Sequence, residues 1–174
     1  MLSKIKAWIG VDPGATGAMV VLDDFGHPVY LDWVDEILMY KMLLFYRDCY
    51  DIKMVVLEKL WARKGNASKS STTFQQHVGA LRAVIKLTGL PLIEATPQQW
   101  MHRRVVAKKN RADKPSVPYV EARYPGFNVR GPKGGAKDGR ADALCMAEYA
   151  REQFQKGALD GGGVQQRAGR GTAV

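Results

Sequence analysis

Residues 6–11 (KAWIGV) make a short apolar run that meets Asp12 and breaks on Pro13-Gly14. Apolar and β-branched runs return at 17–23 and 28–33, divided from each other by a turn around Gly26. The spacing predicts an antiparallel meander over 5–11, 17–23 and 28–33. DEILMYKMLLFYRD, 35–48, has its acids first and Arg47 near its end, the charge order of a helix. KMVVLEK, 53–59, reads as a buried strand whose flanking helices favour parallel pairing with the first strand. A basic loop without acids, WARKGNASKSS at 61–71, precedes a helix expected to be capped by Thr72 or Thr73 and to run to about Leu87. On it Phe74, Val78, Leu81, Ile85 and Thr88 recur at three- and four-residue steps, a stripe that either covers the sheet or seams two chains.

PLIEAT, 91–96, is the fifth predicted strand, and Pro97 opens a short helix. Residues 102–114 are basic and poorly periodic, a helix is predicted over 115–124, and NVRGPKGGAK, 128–137, is a Gly-rich basic loop. A last helix is predicted over 138–154, with Leu144, Ala147 and Ala150 on its apolar side. Six of the 18 residues after Lys156 are glycine, so the chain divides into a domain over 1–156 and an expected disordered tail over 157–174. The element order defines an α/β fold: a mixed sheet with helices on its faces.

A chain of 174 residues can bury a real core, and 46% hydrophobic with 25% charged residues is ordinary for a globular protein. The sign of the charge adds something. With 26 Lys and Arg against 17 Asp and Glu, the net charge is +9, which points to a polyanionic partner, nucleic acid ahead of membrane. Cys49 and Cys145 have no metal-type spacing, so free thiols and a cytoplasmic, reducing setting are expected. The N-terminus shows no signal-peptide core, and charges interrupt every apolar run well short of a membrane span.

Four carboxylates supply candidate chemistry. Asp12 ends the first strand, Glu58 ends MVVLE, and Asp138 and Asp142 are one turn apart on the last helix. Singly, they read as a turn residue, a strand end, an N-cap and a first-turn acid. If the first and fourth strands are parallel neighbours, Asp12 and Glu58 emerge together, and carboxylates so crowded repel unless cations lie among them. Their hard oxygens suit Mg²⁺ or Mn²⁺, and two ions about 4 Å apart can hydrolyse a phosphodiester.

IGVDPGATG, VVLEKLWARKG, STTFQQHVGALRAVIKLTGLP, TPQQW and KDGRADALCMAEYA occur in this order over residues 5 to about 154. In this the chain resembles the RuvC-like Holliday-junction resolvases of the RNase H-like superfamily, most closely their phage and prophage branch. The resemblance implies a mixed five-stranded sheet with helices on both faces. It also implies a homodimer, two Mg²⁺ per site with Mn²⁺ able to substitute, and paired nicks across a four-way DNA junction. By position, Asp12, Glu58 and Asp142 match the family's ligands. Cellular members carry the fourth where this chain has Gly139, and Asp138 is the nearest acid. Trp61 falls where the family has an aromatic that stacks on junction bases. Met101 replaces a lysine near the scissile phosphate, for which Arg103, Arg104 or Lys137 could stand in, and Lys114 matches a second family lysine. The expected DNA contacts are Lys59, Trp61, Arg63, Lys64, Lys69, Arg103, Arg104, Lys108, Lys109, Lys114 and Lys137. Alternatives are a related metal nuclease acting on flaps, branched DNA or RNA–DNA hybrids, an actin-like ATPase, and a non-catalytic DNA-binding module.

Overall fold

A computed structural model describes residues 3–14, 16–32, 35–59, 69–102, 104 and 114–159, excepting the side chains of 69–73, 158 and 159. The strands are β1 (Lys6–Val11), β2 (Ala18–Asp23), β3 (Pro28–Asp32), β4 (Asp51–Glu58) and β5 (Leu92–Ala95). The helices are α1 (Glu36–Cys49), α2 (Lys69–Leu87), α3 (Pro97–Trp100), α4 (Ser116–Arg123) and α5 (Asp138–Leu159).

The predicted meander forms: β1–β2 and β2–β3 pair antiparallel. β4 lies parallel to β1 on its other side, β5 parallel to β4, and the sheet order is β3-β2-β1-β4-β5. Alternation along the strands divides two cores. Trp8, Val20, Leu22, Met54 and Val56 face α3, α4 and α5, whereas Ala7, Ile9, Val11, Val55 and Leu57 face α1 and α2. This is the expected mixed five-stranded sheet with helices on both faces.

α1 begins where its acids suggest, with the Asp35 carboxylate accepting from the Leu38 N–H at 2.8 Å. α2 begins at Lys69, earlier than a cap at Thr72 or Thr73 would place it. Its apolar stripe lies on the sheet, with Val78, Leu81 and Ile85 buried and Phe74 packed against them. That stripe is therefore core and not a seam between chains. α5 continues past Lys156 to Leu159, so the first residues assigned to a tail are helical, and 160–174 lie outside the described residues.

α5 is the axial element: residues 139–148 are all buried, between the sheet and α4. Its approach to the sheet needs glycine. A Cβ on Gly10 would stand 2.0 Å from the Ala143 carbonyl oxygen, and one on Gly139 would stand 2.2 Å from that of Thr16. The first lays α5 on β1 itself, and the second brings the start of α5 against the turn that follows β1. Arg140 locks it there through a two-pronged pair with Asp32 at 2.6 and 2.7 Å, its guanidinium 3.9 Å from the Tyr30 ring centroid.

Candidate active site

Val11 pairs with Leu57 in the parallel β1–β4 ladder, so the next residues, Asp12 and Glu58, leave the same end of neighbouring strands. Asp12 also makes a turn, its carboxylate accepting the Gly14 N–H at 2.9 Å. The turn reading is thus met, by a side chain that also stands at the strand end beside Glu58. Asp142 enters from one turn inside α5 and is buried. Asp138, the first residue of α5, accepts the Gly139 N–H at 3.1 Å on one oxygen and meets Lys114 with the other.

Burial is the main reason that Asp12 is pushed up to about 6. The Gly14 N–H opposes it, and the charges of Asp142 and Asp138 add to it. Glu58 is pushed up to about 7, first by burial and then by Asp12 and Asp142. Burial likewise raises Asp142, against the pull of Lys114. Asp142 thus acts on both Asp12 and Glu58, Asp12 acts on Glu58, and Asp138 acts on Asp12 and Asp142.

Lys114, just ahead of α4, places its Nζ 3.0 Å from Asp138 Oδ2 and 3.0 Å from Asp142 Oδ2. Burial would lower its pKa, but the two carboxylates outweigh this and hold the ammonium well above the usual lysine range. Among the described residues, no three metal-ligating side chains stand close enough as placed to hold one ion. The donor set nevertheless fits a hard divalent cation: it is all carboxylate oxygen, with Asp12 and Asp142 buried and Glu58 and Asp138 partly exposed, and it already draws a cation between two of its members. Gly139 cannot supply the fourth oxygen, because any side chain there would strike the Thr16 backbone. The nearest carboxylate is that of Asp138, one residue earlier.

The predicted DNA contacts fare differently. Lys59 is exposed beside Glu58, its N–H donating to the Ala95 carbonyl at 2.7 Å. Lys137 is half-buried immediately before Asp138. Arg104 is not a DNA contact: it is buried, donating to Glu148 at 3.1 Å, to the Trp100 carbonyl at 2.7 Å and to Glu152. Met101 packs partly buried against the core. Trp61, Arg63, Lys64, Arg103, Lys108 and Lys109 lie outside the described residues, as does the side chain of Lys69.

Sequence reading missed Glu148. Its carboxylate accepts from Arg104, Arg123, Tyr119 and Tyr124, which joins α4 and the end of the α3 segment to α5. The only sequence signal was two acids, Glu148 and Glu152, one turn apart on a helix otherwise rich in alanine.

No family model and no curated protein matches the chain. Among solved structures, the fold is that of the RNase H-like class with helices on both sheet faces. It is similar to Thermus thermophilus RuvC in complex with a Holliday junction substrate, with a TM-score of 0.55 and 15% identity, covering 91% of this chain and 96% of that chain. It is also similar to a second T. thermophilus RuvC structure, with a TM-score of 0.52 and 17% identity, covering 90% of this chain and 96% of that chain.

Proposed function

We propose that this chain is a metal-dependent endonuclease that resolves four-way DNA junctions by paired hydrolytic nicks and works in the cytoplasm. The observation that carries the reading is the emergence of Asp12 and Glu58 from the same end of the paired strands β1 and β4, with the buried Asp142 and its neighbour Asp138 held together by Lys114 at the start of α5. The net charge of +9 supports a polyanionic substrate, and the fold's likeness to a RuvC solved with a Holliday junction supports a branched one.

Held by Asp12, Glu58, Asp138 and Asp142, two Mg²⁺ ions, with Mn²⁺ able to substitute, would acidify a water and stabilise the leaving oxygen. Asp12 and Glu58 present their oxygens from the ends of paired strands, so their spacing is fixed by the ladder. Asp142 is held by the buried part of α5, and the turn around Gly14 orients Asp12. Lys114 brings a positive charge of the chain's own to the same carboxylates, where an anionic phosphate must approach.

Two opposed nicks on a two-fold substrate call for two sites related by a two-fold axis, hence a homodimer. With the α2 stripe committed to the core, the outer faces of α1 and α2 are the surface for a second copy. The two helices run parallel: Glu36 lies 2.7 Å from His77 near one end, and Arg47 donates to the Thr88 carbonyl at 2.9 Å at the other. Ile37, Tyr40, Phe45 and Leu87 are exposed on them.

The test is cleavage of a four-way junction, a flap, an RNA–DNA hybrid and a plain duplex, with and without Mg²⁺. The junction is expected to be cut only with metal, and Asp12→Asn or Glu58→Gln is expected to abolish cutting while junction binding persists. Preferential cutting of the flap or hybrid would replace the junction reading with a related nuclease. Wild-type-like cutting by Asp12→Asn would remove the carboxylates from the chemistry.

A further inference from the structure

Residues 129–137 form a tight hairpin. The Lys137 N–H donates to the Val129 carbonyl at 2.7 Å, Arg130 and Ala136 form an antiparallel bridge, and the Gly131 N–H donates to the Gly135 carbonyl at 2.8 Å. Its tip closes with the Gly134 N–H on the Gly131 carbonyl at 2.9 Å, Gly134 having a φ of +77°. Pro132 fixes one φ at the tip, and Gly134 supplies the left-handed residue. The base is anchored on both sides. Arg130 pairs with Glu121 of α4 at 2.6 Å, and Arg140 of α5 donates to the Asn128 carbonyl at 2.9 Å.

The hairpin stands beside the carboxylate site. Gly131, Lys133, Lys137, Thr16 and Asp138 line a cleft of ≈ 390 Å³ between it and the turn that follows β1. Lys133 is exposed at the tip, and Lys137 is half-buried at the foot, next to Asp138. From Val129 to Lys137 there is no acid. Glycines at the tip leave the backbone open, since a Cβ at Gly134 or Gly135 would meet nothing within 4 Å. Arg130 is engaged with Glu121, so the two lysines are the hairpin's charges for a ligand.

We propose that this hairpin is a phosphate clamp for the nucleic-acid strand being cut. Lys133 and Lys137 take backbone phosphates adjacent to the one at the carboxylates, with Thr16 on the opposite wall of the cleft. The inference rests on the nuclease reading. A rigid, anchored hairpin with glycine at its tip lets a sugar–phosphate backbone approach closely, and two lysines on one side of an acidic centre set the direction in which the strand leaves it. Contacts of this kind position a strand and carry no base sequence.

The test is equilibrium binding of a synthetic four-way junction across a salt series, in an Asp12→Asn background so that nothing is cut. Each phosphate contact contributes about 0.9 to the slope of log affinity against log salt. Lys133→Gln is expected to lower that slope by about 1, and Lys133→Gln with Lys137→Gln by about 2. Lys156→Gln, at the far end of α5, should leave the slope unchanged. Lys133 is exposed at a turn, so the single variant reads binding without a folding cost, and its melting temperature checks this. A doubly substituted protein with the slope and affinity of the Asp12→Asn parent overturns the clamp and leaves the nuclease reading standing. A parent protein that does not bind the junction at all overturns both.

Discussion

At the scale of single residues, the site is a set of carboxylates that folding places where their charge is costly. Asp12 rises from 3.8 to about 6 and Glu58 from 4.5 to about 7, both chiefly through burial. Between about pH 4 and pH 7 the folded chain then binds more protons than the unfolded chain, so stability falls as pH rises through that window. Above about pH 8 the effect is complete, and for Asp12 it amounts to roughly 3 kcal/mol. Half-exposed Glu58 adds less than its shift suggests because water screens it. Metal-free protein is therefore expected to melt higher at pH 5 than at pH 8, and Mg²⁺ should raise the pH 8 value towards the other. Calorimetric scans at both pH values check this, and a melting temperature that rises from pH 5 to pH 8 without metal would contradict it. Lys114 supplies a second prediction. Its ammonium offsets the repulsion of Asp138 and Asp142 and competes with any other cation for their oxygens. Lys114→Met should lower the metal-free melting temperature and tighten Mg²⁺ binding by roughly tenfold, about 1.4 kcal/mol, read by isothermal titration.

At the scale of elements, two ion-pair clusters look alike in sequence and differ in consequence. Arg82 and Glu94 join α2 to β5 with both side chains partly exposed, so that pair is worth at most about 1 kcal/mol. Arg104 and Glu148 are almost wholly buried, and Tyr119, Tyr124 and Arg123 complete the carboxylate's bonding. Removing one partner strands a buried charge, so Glu148→Ala should cost about 3–5 kcal/mol in denaturant unfolding, against less than about 1 kcal/mol for Glu94→Ala. The basic run over 102–114 looked uniform in sequence, yet Arg104 and Lys114 have separate fates: one supports the core and the other meets the site. Nothing local separates them, because their partners lie 44 and 28 residues away in the chain.

At the scale of the molecule, the exposed apolar positions of α1 and α2 should govern assembly. Ile37→Asp with Phe45→Asp is expected to convert a dimer to a monomer in light scattering, with the melting temperature little changed because both side chains are already more than half exposed. A wild-type chain that is monomeric at working concentration would rule the interface out. By itself the sequence determined the five strands and the major helices, because burial on a sheet or helix face imprints a period of two or of about 3.6 on neighbouring residues. It also placed Asp12 and Glu58 at the ends of their strands, but that the two strands are parallel neighbours was a condition that the fold supplied. Tertiary structure alone decided the rest. It laid the α2 stripe on the sheet, buried Arg104, and set the Thr16 backbone where a side chain at position 139 would have to stand. Those outcomes depend on contacts between residues far apart in the chain, and a local pattern of apolar and polar positions carries no record of which distant group a side chain will meet.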